Sequence, residues 1–126
     1  MTGATKPLLI ALVLALGIAG GSSARASAPA TSAVQASGSE FRIALSRSRV
    51  APSRLRIEFV NFGEDDHDLA VRRVGTSLVR NLGTTRPGER SVERFKVRKG
   101  TYLLWCTLGD HRARGMKATL KVRKSG

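Results

Sequence analysis

Short stretches in which apolar and polar residues alternate are the feature that most limits how this chain can fold. Period-two alternation puts successive side chains on opposite faces of an extended strand, so each stretch predicts a half-buried strand. The stretches lie at 41–45, 55–59, 67–71, 92–97, 102–106 and 118–122. Because no segment carries a convincing helical stripe, the chain is expected to be all-β.

Turn-forming residues separate these stretches. They occur at 51–53, 61–63, 86–88 and 99–100, where Pro, Gly, Asn and Ser are concentrated. Short strands at this spacing are typical of an antiparallel sandwich. The sequence therefore predicts a Greek-key β-sandwich.

The first residues read as a targeting segment. Lys6 precedes an apolar run at 8–19, and small residues fitting an A-x-A cleavage pattern follow at 24–26 and 26–28. A membrane anchor is the alternative, but a spanning helix needs about 20 apolar residues. We therefore predict a signal peptide at 1–26 and export to the periplasm, the cell envelope or the extracellular space.

Residues 27–39 are almost all Ala, Ser, Thr, Pro and Gly, and they offer little that could be buried. This composition predicts a flexible linker. Residues 40–124 remain for one domain, and a core of about 85 residues is marginal without extra stabilisation. A bound metal ion could supply that stabilisation.

The chain is strongly basic, with 22 Lys and Arg against 9 Asp and Glu. Such a charge suits nucleic acid, an anionic membrane surface or an acidic protein. Most aromatic residues stand at alternating, core-like positions and not among the basic residues as stacking platforms, which argues against nucleic acid. Peripheral contact with an anionic membrane and docking of an acidic redox partner stay open, and we expect a monomer.

Potential metal ligands are scarce. The chain has two histidines, one cysteine and, apart from the initiator, one methionine. Cys106, His111 and Met116 follow one another at intervals of five residues, while His67 lies far upstream. Three donors can therefore converge from one connection between strands, and Gly109 and Gly115 permit the tight backbone that this requires.

The donor types favour copper. One thiolate, two imidazoles and a thioether are the ligand set of blue-copper centres, whereas zinc gains little from Met116. Taken singly, each residue has a simpler interpretation: Cys106 and Met116 as buried apolar side chains, and His67 as a surface residue. Their joint placement favours a metal site.

The segment 100–122, with Trp105-Cys106, His111 and Met116, resembles the copper loop and last strand of the cupredoxins. The turn at 61–63 leading to His67 resembles their first-ligand segment. This resemblance covers about 40–122 and implies one copper ion with His67, Cys106 and His111 as equatorial ligands and Met116 as the axial ligand. Two features depart from the family: Asp110 stands where Gly is usual, and Arg112 and Arg114 occupy a region that is apolar in many relatives.

Members of this family generally carry single electrons between larger redox proteins, so the resemblance implies an electron carrier and not an enzyme. Copper buffering or delivery is the alternative function, and a metal-free adhesive sandwich is a minor one. An acidic group lies beside His67, and we hypothesise that its negative potential lowers the reduction potential: Glu64, Asp65, Asp66 and Asp68.

Overall fold

The computed structural model describes residues 1–4, 21–24, 26–28 and 30–124, and nine strands lie within them. No helix occurs in the described residues. In chain order the strands are β1 Thr31–Ser39, β2 Arg42–Leu45, β3 Arg49–Val50, β4 Ser53–Asn61, β5 Ala70–Arg73, β6 Val79–Asn81, β7 Arg90–Val97, β8 Gly100–Trp105 and β9 Lys117–Val122.

The strands form two sheets that pack as a sandwich. One sheet has the order β2-β1-β4-β7 and the other the order β3-β9-β8-β5-β6. The expected β-sandwich is therefore confirmed, although the sheets are mixed and not antiparallel. β1 pairs in parallel with β4, and β3 pairs in parallel with β9.

The prediction of a flexible linker at 27–39 is wrong for most of this segment, because Thr31–Ser39 forms strand β1 between β2 and β4. Its small residues reflect packing and not disorder. A Cβ atom added at Gly38 would lie 2.4 Å from Cζ of Phe59, so the large ring of β4 occupies the space that a side chain on β1 would need. The folded domain thus begins near Thr31 and not at Glu40.

The core lies between the two sheets and follows the period-two pattern read from the sequence. Leu55, Ile57 and Phe59 on β4 are fully buried, and Leu104 and Leu120 face them from the other sheet. Burying an aliphatic or aromatic side chain of this size contributes about 1.5–3 kcal/mol, so β4 is a main source of stability.

The predicted signal peptide lies largely outside the described residues, since 5–20 and 25 are not among them. It stays a prediction. Among the residues that are described, no helix is long and apolar enough to cross a membrane.

Candidate metal centre

The predicted ligands gather at one end of the sandwich. Cys106 directly follows β8, and His111 and Met116 lie on the connection from β8 to β9. His67 precedes β5 and is fixed by an isolated bridge to Thr85, with hydrogen bonds in both directions (N–O 3.1 and 2.6 Å). The strand expected at 67–71 therefore begins later, at Ala70, while His67 is held by a different neighbour.

Three of the four predicted donors face one another. The Sγ atom of Cys106 lies 3.5 Å from Nδ1 of His111 and 4.0 Å from Nδ1 of His67, and the two Nδ1 atoms are 3.2 Å apart. In the described part of the chain, these three residues form the one group of His, Cys, Asp and Glu side chains that could hold a metal ion together.

The spacing of these atoms fits a single ion. Borderline metals in proteins bind histidine nitrogen at about 2.0–2.1 Å and cysteine sulfur at about 2.3 Å. Each of the three distances between donor atoms is shorter than the sum of the two metal–ligand bonds that would join those atoms to one ion. One ion can therefore reach all three atoms. The donor set, with one thiolate and two imidazoles, fits one type 1 copper ion.

Met116 is tied to the other candidates through its backbone. Its N–H donates to the carbonyl of His111 (3.0 Å), and its own carbonyl accepts from the N–H of Cys106 (3.1 Å). Its side chain is fully buried. The predicted axial ligand therefore sits at the closure of the same loop, where the chain turns into β9.

The loop has the tight backbone expected of it. Gly109 and Gly115 have φ values of +49° and +110°, in a region that residues with a Cβ atom rarely adopt. The loop also satisfies its own hydrogen bonds, with the N–H of Arg114 donating to the carbonyl of Asp110. Both expected glycine roles are confirmed.

The candidate centre is buried on all sides but one. His67, Cys106 and Met116 are fully buried, while His111 is partly exposed. Burial raises the pKa of the Cys106 thiol in the metal-free protein. Because a metal binds the thiolate, loading the site releases a proton.

Glu40 is a site residue that the sequence analysis did not identify, because Glu40 figured there only as the expected first residue of the domain. Its Oε1 accepts hydrogen bonds from Nε2 of His67 and from the N–H groups of Glu64 and Asp65, each at 2.9 Å. Gly63 leaves room for it, since a Cβ atom there would lie 2.2 Å from this oxygen. The hydrogen bond from the N–H of Asp65 has the largest effect on Glu40, and the hydrogen bond from His67 adds to it. Together they lower the pKa of Glu40 to about 2, although burial opposes this shift.

This contact decides which nitrogen of His67 can bind a metal. A carboxylate only accepts hydrogen bonds, so Nε2 of His67 carries the proton. The lone pair of the neutral ring is then on Nδ1, which faces Cys106 and His111. Glu40 thus sets the tautomer that metal binding requires.

Asp68 joins the segment carrying His67 to the loop carrying Cys106. Its carboxylate accepts from the N–H of Thr107 (2.6 Å), from the hydroxyl of Thr107 and from Nδ2 of Asn81 (2.8 Å). Burial would raise the pKa of Asp68, but these hydrogen bonds outweigh it and the pKa is lowered. Asp68 is therefore a buried structural anchor and differs from its exposed neighbours Glu64, Asp65 and Asp66.

These carboxylates predict that acid destabilises the metal-free protein. The pKa values of Glu40, Glu58 and Asp68 are lowered by folding, so their contribution is present above the unfolded values, near pH 4–4.5, and is lost as pH falls toward the folded values. We expect the Tm of the metal-free protein to fall steadily between about pH 4.5 and pH 2. Thermal unfolding followed by circular dichroism at several pH values measures this, and a constant Tm across that window would contradict it.

Two arginines near the partly exposed His111 stack on aromatic rings. The Phe41 ring lies 4.8 Å from the His111 ring, and the Arg114 guanidinium stacks over Phe41 at 3.9 Å. Arg112 lies over Trp105 at 4.6 Å. The stacking therefore holds the Arg114 guanidinium beside the His111 ring, whereas Arg112, the next residue in sequence after His111, lies against Trp105. Both guanidinium groups keep their charge in such stacking.

Solved structures with the same fold are found, although no protein-family model and no curated protein sequence matches the chain. Auracyanin from Roseiflexus castenholzii has a TM-score of 0.61 at 16% identity, covering 73% of this chain and 97% of that protein. Auracyanin A from Chloroflexus aurantiacus, described as a "blue" copper protein, has a TM-score of 0.61 at 15% identity, covering 75% and 100%. Rusticyanin from Thiobacillus ferrooxidans has a TM-score of 0.59 at 14% identity, covering 74% and 77%.

These proteins are cupredoxins, and their likeness shows that the chain has the cupredoxin fold. A multicopper oxidase also matches, with a TM-score of 0.50, but the match covers only 41% of that protein. At such low identity the comparisons establish the β-sandwich, and the chemistry must be argued from the residues of this chain.

Proposed function

We propose that this chain, which has the cupredoxin fold, binds one copper ion through Nδ1 of His67, Sγ of Cys106 and Nδ1 of His111, with Met116 as a weaker axial ligand. The observation that carries this proposal is the convergence of three donor atoms within 4.8 Å of one another at one buried end of the sandwich. Bound copper supplies a one-electron couple between Cu(I) and Cu(II), and the protein acts as an exported electron carrier.

The surroundings of the donors suit electron transfer. His67, Cys106 and Met116 are fully buried, and Glu40 and Thr85 fix His67 from two sides. Ligands held in this way change little when the charge of the ion changes, which keeps reorganisation small. The partly exposed ring of His111 gives an electron a short route to the surface.

Copper buffering or delivery is the alternative function for the same donors. That role needs an open site and ready exchange, whereas only His111 is partly exposed among the four proposed ligands. Burial therefore favours the carrier. We propose no enzymatic activity, since both histidines of the chain are used as ligands.

Redox cycling in the presence of a Cu(I) chelator tests the carrier function. The copper-loaded protein is reduced and reoxidised repeatedly, and its visible absorption and copper content are measured after each cycle. We expect the oxidised spectrum to return in full with copper retained. Loss of copper to the chelator on the first reduction would instead support copper delivery.

The charge of Glu40 is expected to lower the reduction potential, because a negative charge on the far nitrogen of a ligand favours Cu(II). Glu40→Gln keeps an oxygen that can accept the same hydrogen bonds and removes the charge. We expect the potential to rise by roughly tens of millivolts. Voltammetry of the copper-loaded variants measures the shift.

Glu64→Gln is the matched control, because it removes a carboxylate from the same region that makes no contact with a ligand ring. We expect a clearly smaller shift for this variant, since exposed charges are screened. Equal shifts in both variants would show that the acidic segment acts only as a diffuse charge and would remove the special role of Glu40.

We propose that Arg112 and Arg114 dock an acidic redox partner beside His111. Oxidation of the reduced protein by anionic ferricyanide is then expected to slow as salt rises. Arg112→Gln/Arg114→Gln should slow it several-fold at low salt and flatten the salt dependence. Arg54→Gln/Lys96→Gln removes the same charge elsewhere; stopped-flow rates that fall equally in both double variants would contradict docking at His111.

A further inference from the structure

The end of the sandwich opposite the candidate metal centre is densely basic. Arg54 is the second residue of β4, Lys96 is the last but one of β7, and further cations follow in the β7–β8 turn and after β9. All of these side chains are exposed. This group is called the basic pole and consists of Arg54, Lys96, Arg98, Lys99, Arg123 and Lys124.

The cations of the basic pole form one continuous surface. Two shallow depressions share Pro52; one is lined by Arg54, Lys96 and Arg98, and the other by Lys99, Arg123 and Lys124. Within residues 30–124, no ion pair involves any member of the basic pole. Their charges are therefore not neutralised by the protein itself.

Acidic residues are concentrated away from the basic pole. Strand register places Glu93 opposite Ile57 in the middle of β4. Glu58 lies one residue further toward the end of the sandwich that carries the candidate metal centre, which is called the metal end. The remaining acidic residues belong to the segments around the metal centre: Glu40, Glu64, Asp65, Asp66, Asp68, Glu89 and Asp110. The domain thus has a strong charge asymmetry along its strands, which orients it on a charged surface.

The chain also enters the domain at the basic pole. β1 runs parallel to β4, so Thr31 pairs with Arg54 at this end while Gly38 pairs with Asn61 at the metal end. Ala30 lines the same depression as Arg54. Any residue that precedes Thr31 in the mature protein is therefore joined to the domain at the basic pole.

We propose that the basic pole docks on the anionic surface of a lipid bilayer and holds the metal end facing away from the membrane. Several unpaired Lys and Arg side chains on one face suit lipid phosphates, and each adds about a fivefold factor to the partition coefficient. Among the described residues, no aromatic side chain lines either depression of the basic pole, so this surface lacks the stacking platforms of a nucleic-acid site. In this orientation His111 stays accessible to a partner while the protein diffuses along the membrane.

Vesicle cosedimentation of the full chain tests this proposal. Binding to vesicles of phosphatidylglycerol mixed with phosphatidylcholine is compared with binding to vesicles of phosphatidylcholine alone. The neutral vesicles measure any binding through the apolar run at 8–19. Arg54→Gln/Lys96→Gln/Arg123→Gln is expected to weaken binding to the anionic vesicles about a hundredfold. Arg42→Gln/Arg86→Gln/Lys117→Gln removes the same charge from exposed positions toward the metal end and should weaken it far less.

Equal losses in the two triple variants would overturn the proposal, because binding would then follow net charge and not the basic pole. Equal binding of the unmodified protein to neutral and anionic vesicles would also overturn it. Heparin serves as a soluble polyanion: if it binds through the basic pole while anionic vesicles do not, the occupant is a soluble polyanion and the bilayer is excluded.

The orientation of the bound protein on the vesicle can be measured separately through the fluorescence of Trp105. Trp105 is the single tryptophan of the chain and ends β8 at the metal end. Brominated acyl chains quench tryptophan fluorescence only at short range. We expect protein bound to brominated anionic vesicles to keep its Trp105 fluorescence. Strong quenching would show that the metal end faces the membrane and would refute the proposed orientation.

Discussion

We expect one equivalent of Cu(II) to give this protein an intense visible absorption band, and we expect replacement of Cys106 by serine to abolish it. That band arises from charge transfer between a thiolate and copper, and a hydroxyl cannot supply it. Cys106 is the single cysteine of the chain and its Sγ lies within 4.0 Å of both histidine Nδ1 atoms, so no other sulfur can replace it as a thiolate. Visible absorption and electron paramagnetic resonance of the two proteins measure the effect.

Met116→Leu is the companion variant, because it keeps the volume of the buried side chain and all three proposed equatorial donors. We expect it to retain the intense band. Circular dichroism of the metal-free Cys106→Ser protein establishes that it is folded. A weak Cu(II) spectrum that is the same with cysteine or serine would refute the thiolate site and with it the carrier function.

The β-sandwich could be predicted because apolar and polar residues alternate along its core strands. Leu55, Ile57 and Phe59 stand at every second position and are all fully buried. β1 could not be found in this way, because most of its side chains are small, and at Gly38 the Phe59 ring of β4 occupies the space that a side chain would need. Low hydrophobicity there records close packing, which composition alone cannot distinguish from a linker.

The convergence of His67, Cys106 and His111 could be predicted for a different reason: the chain offers so few potential metal donors that their spacing had few interpretations. The residues that support them were less visible. Glu40 lies far from His67 in sequence and meets it only because β1 and β4 run parallel, which brings the end of β1 to the metal end. Asp68 was grouped with its acidic neighbours, and nothing in the sequence shows that it alone is buried.

Removing the Asp68 carboxylate is expected to be among the most damaging changes to the metal-free fold. Asp68→Ala would delete three accepted hydrogen bonds and leave the N–H of Thr107 and the amide of Asn81 without their partner. Hydrogen bonds to a buried charge are stronger than neutral ones, and unpaired buried donors add a penalty. We expect a loss of about 2–4 kcal/mol in the free energy of unfolding, measured by urea titration.

Asp68→Asn removes the negative charge of this side chain and keeps its shape. The amide oxygen can still accept from the N–H of Thr107, but the NH₂ group cannot accept from Asn81 as the carboxylate does. We therefore expect a loss of about 1 kcal/mol and a folded protein in which copper binding can be examined. Because Thr107 adjoins Cys106, the intense band should shift in this variant. An Asp68→Ala protein as stable as the unmodified one would show that the connection between the two ligand segments does not depend on Asp68.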